Sequence, residues 1–143
     1  MEKDYERLKL ENQLCFPLYA RAREIVKKYN PHLDGIGLTY TQYIVMMIMW
    51  DKKRVSVKEL GEKLYLDSGT LTPVLKSLES KGFVSRRRSV EDERVLIAEI
   101  TEAGEALKEK AAEIPPKIAC CVSLTPEEAR TLHGLLYKIL GTM

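Results

Sequence analysis

The sequence predicts a mainly α, α+β fold: a winged helix-turn-helix with N- and C-terminal helices that form a two-fold dimerisation region. Three observations predict it. Two short capped helices follow one another between Ser56 and Lys81. A basic hairpin comes directly after them, over 84–100. Amphipathic helices without an evident core of their own lie at both ends of the chain. The expected division is one domain over 1–143, with dimerisation helices at about 1–34 and 101–143 and a reading lobe at 39–100.

Taken in order, Glu6 to Tyr29 reads as a helix, with Leu8, Leu14, Leu18, Ile25 and Val26 as its apolar positions. Pro17 either kinks it or sits in the first turn of a second helical segment, where its missing N–H costs little. In that second case Cys15 lies at a helix start, whose partial positive charge favours a thiolate. Asn30-Pro31 ends the segment, and Gly35–Leu38 is a loop. Thr39 caps the next helix and Gln42 completes a capping box. That helix is apolar almost all round, through Tyr43, Ile44, Met46, Met47, Ile48 and Trp50, so it belongs in the core.

Ser56 and Glu59 start the following helix with a capping box, and Leu60 and Leu64 give it an apolar stripe. Asp67 or Ser68 caps a second helix, whose Leu71, Val74, Leu75 and Leu78 face the core. Its open face carries Ser68, Thr70, Thr72, Pro73, Lys76 and Ser77. Short hydroxyl side chains with one lysine suit close approach to phosphates and base edges in a major groove. Gly82 stops the helix. Phe83 and Val84 begin a strand, Arg86, Arg87 and Arg88 lead to a polar tip, and a second apolar strand follows Arg94. Helix, turn, helix and basic hairpin is the layout of a DNA-binding winged helix. Phosphate contacts from Lys76, Arg86, Arg87 and Arg88 set its affinity and salt dependence.

Thr101 caps a charged helix that Pro115-Pro116 interrupts. Thr125-Pro126-Glu127-Glu128 starts another, with Leu132, Leu135, Leu136, Ile139 and Leu140 as its stripe. Two copies related by a two-fold axis would bury these faces and present two reading helices to a pseudo-palindrome. A homodimer on double-stranded DNA is therefore expected.

Composition narrows the classes. Hydrophobic residues make up 45%, charged residues 31%, and the net charge is only +2, so nucleic-acid binding must come from local patches. No apolar run approaches the ~20 residues of a membrane span, and Met1–Arg7 lacks a signal-peptide pattern, so a cytoplasmic protein is expected. Cys15, Cys120 and Cys121, with His32 and His133, give no metal-ligand spacing, and neither a metal nor a cofactor is expected.

Four stretches then carry a family likeness: Leu10-Glu-Asn-Gln-Leu-Cys15-Phe16, Leu38-Thr-Tyr40-Thr-Gln-Tyr43, Leu64-Tyr-Leu-Asp67-Ser-Gly-Thr-Leu-Thr-Pro73 and Glu91-Asp-Glu-Arg94. The chain resembles, over nearly its whole length, the organic hydroperoxide resistance regulators, a branch of the MarR superfamily. The resemblance implies a dimeric repressor that leaves its operator when a cysteine of the first helix is oxidised by an organic hydroperoxide. Cys15 matches that cysteine. Tyr19 and Tyr29 match tyrosines whose hydroxyls bond its sulfur. Arg94 matches a wing-tip arginine that enters the minor groove, and Asp92 the acid that orients it. Ser68, Thr70 and Thr72 fall on the reading helix. Cys120 looks like the second cysteine of the members that close a disulfide to the partner subunit, while Cys121 is a bystander. The bland alternative is that both are small buried hydrophobes.

The residues fit this geometry on their own terms. Cys15 and Tyr19 are four apart and share a helix face. Tyr29 lies about 21 Å further along an unbroken helix and could reach only the partner's Cys15. Leu14, Phe16 and Leu18 would favour an organic peroxide over hydrogen peroxide. A competing reading keeps the fold but makes the trigger a small aromatic or phenolic ligand lined by Tyr19, Tyr29 and Tyr40. A thiol peroxidase is disfavoured, since no Cys-x-x-Cys exists to complete a catalytic cycle.

Overall fold

The computed structural model describes residues 4–142; the outermost residues of the two expected dimerisation segments, 1–3 and 143, lie outside them. Two 3-10 turns, Glu6–Leu8 and Leu10–Asn12, lead into helix α1, Cys15–Asp34. The expected single helix from Glu6 is thus broken ahead of the cysteine. Pro17 is the third residue of α1, among the first N–H positions that have no helical acceptor in any case. At the other end Pro31 does not terminate the helix, contrary to the sequence reading. The last turn runs on to Asp34 because Leu33 is fully buried in the core and its carbonyl accepts from the N–H groups of Ile36 and Leu38.

Helix α2, Tyr40–Lys52, begins with the expected capping box: Thr39 Oγ1 accepts from Gln42 N at 3.2 Å, and Gln42 Oε1 from Thr39 N at 3.0 Å. Tyr43, Val45, Met46, Met49 and Trp50 are buried, with only Met47 on its exposed side among the large apolar residues. Trp50 also ties α2 to the later helices, since its indole N–H donates to the Gly104 carbonyl at 2.9 Å.

Strand β1, Arg54–Ser56, follows, and the helix-turn-helix proper is α3, Val57–Leu64, and α4, Ser68–Ser80. Ser56 Oγ accepts from Glu59 N and α3 starts at Val57 as predicted, but the reciprocal Glu59 side-chain bond of the expected capping box is not formed. Tyr65 ends it in the left-handed region at φ +55°. The wing strands are β2, Val84–Arg88, and β3, Leu96–Ile100. The sequence pattern predicts only this hairpin. A third strand is present: the sheet order is β1-β3-β2, all antiparallel, with Val55 opposite Ala98 and Arg86 opposite the same residue on the other edge. A three-residue strand with one buried side chain has too few positions to show an alternating pattern.

Helix α5, Glu102–Ala111, is capped by Thr101, and α6, Ile114–Ala119, takes Pro115 and Pro116 into its first turn. Helix α7, Pro126–Leu140, opens with a full capping box between Thr125 and Glu128. The core gathers Leu33, the buried face of α2, Leu60, Leu71, Leu75, Leu78, Val84, Ala98, Ile114 and Ile118. No side chain of α7 is buried in the single chain.

Candidate nucleic-acid interface and thiol site

Helix α4 is set up by its cap. Asp67 Oδ1 accepts from Thr70 N at 2.7 Å, and these hydrogen bonds hold the Asp67 carboxyl below the usual range. Leu71, Leu75 and Leu78 are at most 1% exposed, so one stripe is fixed against the core. Ser68, Thr70 and Lys76 are exposed and Thr72 half-buried on the remaining surface. Ser77 departs from the expected open face: its Oγ accepts from Gln42 Nε2 at 2.9 Å, inside the lobe.

The wing tip is ordered by its own acid. The Asp92 carboxylate takes Arg94 Nε on Oδ1 and Arg94 Nη2 on Oδ2, both at 3.1 Å, and Oδ1 also accepts from Arg94 N at 3.0 Å. The fork holds the Asp92 carboxyl low, first through the side-chain hydrogen bond. The Arg94 side chain remains 91% exposed. Below it an open groove of about 810 Å³ runs between α3, the start of α4 and the root of the wing, lined in part by Lys58, Tyr65, Ser68 and Arg94.

The three arginines of β2 are not equivalent. Arg86 is folded back: its Nη2 lies 3.1 Å from Glu79 Oε1, its backbone N–H donates to Glu79 Oε2, and its side chain is 18% exposed. This guanidinium fastens β2 to α4 and is turned away from solvent, which corrects its expected place beside Lys76 as an open phosphate contact. Glu79 was missed in sequence, although Glu79 and Arg86 flank the Gly82 turn that brings α4 and β2 together. Arg87 Nε lies 3.6 Å from Glu99, its diagonal neighbour on β3, with Ile97 directly opposite, and Arg88 is exposed.

The thiol site is built on α1. Cys15 is its first residue and is exposed, as are Leu14, Phe16 and Leu18. Tyr19 is exposed one turn on, with the Arg23 guanidinium 5.6 Å from its ring centroid. Tyr29 is at the far end of the same unbroken helix. Its ring packs against Tyr40 at 5.1 Å and Tyr43 at 5.8 Å. Burial, then the neighbouring Tyr40, pushes the Tyr29 phenol up; burial alone does so for Tyr40, and Tyr43 is pushed up to about 12. These hydroxyls are therefore protonated donors at neutral pH. Tyr29 and Tyr40 fill space against Tyr43, and Tyr19 stands apart from them, so the three do not line one pocket within a chain.

Cys120 and Cys121 follow α6 and are both exposed in the single chain. Cys120 Sγ donates to the Pro116 carbonyl at 3.4 Å and Cys121 Sγ to that of Lys117 at 3.8 Å. Arg21 of α1 donates to the Cys121 carbonyl at 3.0 Å, which holds the end of α6 on the first helix. Among the described residues no group of three His, Cys, Asp or Glu side chains is placed to hold a metal, and no helix is long and apolar enough to cross a membrane.

A capped reading helix followed by a two-stranded wing, which β1 extends to a three-stranded sheet, carried among further helices, defines a transcriptional regulator of the winged helix-turn-helix class. Comparison with known proteins gives the family. The family model for the transcriptional regulators SarA/Rot matches residues 27–111. The organic hydroperoxide resistance transcriptional regulator of Bacillus subtilis (strain 168) is 47% identical over 143 residues, covering 100% of this chain and 97% of that protein. Reduced AbfR bound to DNA superposes with a TM-score of 0.83 at 33% identity, covering 98% and 96% of the two chains. Disulfide-formed AbfR superposes with a TM-score of 0.65 at 35% identity, covering 96% and 93%; AbfR is a protein of Staphylococcus epidermidis. The chain belongs to the MarR superfamily, in its organic hydroperoxide resistance regulator branch.

Proposed function

We propose that this regulator is a homodimeric repressor that binds a pseudo-palindromic operator and releases it when Cys15 is oxidised by an organic hydroperoxide. The observation that carries the reading is the position of Cys15: exposed, in the first turn of α1, and surrounded by the uncovered apolar side chains Leu14, Phe16 and Leu18. The N-terminal residues to 34 and the segment 101–143 form the dimer arms. Residues 39–100 form the DNA lobe, with its wing at 84–100. Ser68, Thr70, Thr72 and Lys76 of α4 meet the major groove, Arg87 and Arg88 the phosphates, and Arg94, oriented by Asp92, the minor groove.

The chemistry is a two-electron oxidation. The Cys15 thiolate attacks the outer oxygen of ROOH, the O–O bond breaks, and the alkoxide takes a proton to leave as ROH. The sulfur is left as a sulfenic acid. A second thiol displaces its hydroxyl as water and forms a disulfide, with Cys120 of the partner subunit as that thiol. Tyr19 supports the sulfur from within the chain. The protonated phenol of Tyr29 supports it across the dimer, since the unbroken α1 separates Tyr29 from its own Cys15 by about 21 Å.

The test is operator binding by fluorescence anisotropy before and after one equivalent of cumene hydroperoxide, with a non-reducing gel of the same sample. Wild type is expected to lose binding and to gain a cross-linked dimer. Cys15→Ser should keep binding and ignore the peroxide, and Cys120→Ser should be oxidised without cross-linking. Peroxide-driven release that persists in Cys15→Ser would refute the thiol switch.

A further inference from the structure

We infer that Gln42 is a positioning residue for DNA recognition: it fixes the rotation of α4 against the rest of the chain and so sets the preference for one DNA sequence over another. The inference rests on the DNA-reading role of α4 proposed above. Gln42 is 5% exposed, a buried polar side chain in an otherwise apolar core. Its amide is used at both ends. Nε2 donates to Ser77 Oγ at 2.9 Å; Oε1 accepts from Lys81 Nζ at 2.9 Å and from Thr39 N at 3.0 Å. Lys81 Nζ also donates to the Gly37 carbonyl at 2.7 Å.

Ser77 and Lys81 are four apart, on one side of the C-terminal turn of α4 and just beyond it. The loop after α1 and the start of α2 therefore hold α4 by directional bonds. The other grip on α4 is the apolar stripe Leu71, Leu75 and Leu78, and apolar packing is non-directional. Thr72 and Lys76, on the reading side, are carried by the same turns. A helix with side chains is about 10–12 Å across, so a rotation of about 20° moves a side-chain tip by roughly 2 Å. That is enough to break a hydrogen bond to a base edge while leaving long lysine and arginine side chains able to follow a phosphate. Loss of the Gln42 bridge should therefore lower sequence preference far more than general DNA affinity. Tyr43, next in α2, packs on Tyr29 of α1, so the joint also lies beside the first helix.

The test compares two affinities for each variant: one for a duplex that the wild-type protein enriches from a randomised pool, one for poly(dI-dC). A residue that merely stabilised the fold would lower the active fraction and both affinities alike. Gln42→Met keeps the length and removes the bonds. The double variant Ser77→Ala/Lys81→Met removes both α4 partners of Gln42 but leaves the Thr39 capping box, and Ser77→Ala alone, which keeps the Lys81 bond, decides the matter if Gln42→Met does not fold. Each should lose about tenfold in the specific-to-nonspecific ratio. Gln42→Glu should restore it, because a carboxylate accepts from Lys81 and Thr39 and the Ser77 hydroxyl can donate as well as accept. A ratio within twofold of wild type in Gln42→Met and Ser77→Ala, or an equal loss in Gln42→Glu, would overturn the inference. If the wild-type protein enriches no sequence at all, the DNA-reading proposal fails and this one with it.

Discussion

Asp67 joins a local preference to the reading surface. Its carboxylate caps α4 through the Thr70 N–H, and the bond holds the group below its ordinary value of 3.8. A carboxyl that is more acidic in the folded state stabilises the fold above its unfolded value. That contribution is lost as pH falls through the folded value. Asn caps a helix nearly as well as Asp but carries no charge for the helix dipole. Asp67→Asn should therefore melt below wild type at neutral pH, and the gap should close as pH falls below about 4. Thermal unfolding followed by circular dichroism from pH 7 downward checks this; a gap independent of pH would remove the charge from the account. The cap was legible in the sequence because an Asp three residues before a free N–H is a local signal. Ser77 and Arg86 were misplaced because their partners, Gln42 and Glu79, lie 35 and seven residues away. Helical spacing puts Ser77 beside the open face, and only the packing of α4 on α2 turns its hydroxyl inward.

At the scale of elements, the close approach of α5 to the root of the wing depends on Gly104. The Thr101 cap places Gly104 in the first turn, where Thr101 Oγ1 accepts from its N–H at 3.1 Å and its carbonyl accepts from Trp50. A Cβ there would run into the Phe83 carbonyl oxygen and sit 2.8 Å from Ile100 Cγ1. Neither the Phe83 backbone nor the half-buried Ile100 at the strand end can yield cheaply. Gly104→Ala should destabilise the protein by about 1–3 kcal/mol or more despite the better helix propensity of Ala, measured by urea unfolding. An unchanged or raised midpoint would show that α5 can shift off β2 without loss. The caps of α2, α4, α5 and α7 were all legible, being contained in four-residue windows. The ends of α1 were not. Pro17 offered a kink or a restart, and the restart at Cys15 is what puts the thiol at a helix start. Pro31 reads as a stop by local rules. The burial of Leu33 two residues later carries the helix past it, and that is a tertiary fact.

For the whole molecule, the uncovered apolar surface is what the proposed homodimer would bury. Leu8, Leu10, Leu14, Phe16 and Leu18 are exposed at one end of the chain and Leu132, Leu135, Leu136 and Ile139 at the other, while α7 buries nothing of its own. Surface of this extent at both termini fits the proposed homodimer, in which a second copy would also supply a second reading helix. Leu135 and Ile139 are four apart on α7 and 54% and 50% exposed, so replacing both by Glu should leave the fold of the single chain intact. Two charges per copy, four across the two-fold, would have to be desolvated to form the interface. The variant should elute as a monomer in size exclusion with light scattering, with helicity near that of wild type. Its operator affinity should fall by about 10²–10⁴-fold, since each reading head then binds without the effective concentration its twin provides. Peroxide-driven cross-linking should disappear with the dimer while Cys15 still reacts, because the sulfenic acid would have lost the partner's Cys120. A variant that stays dimeric and cross-links normally would move the interface off α7 and leave its stripe unexplained.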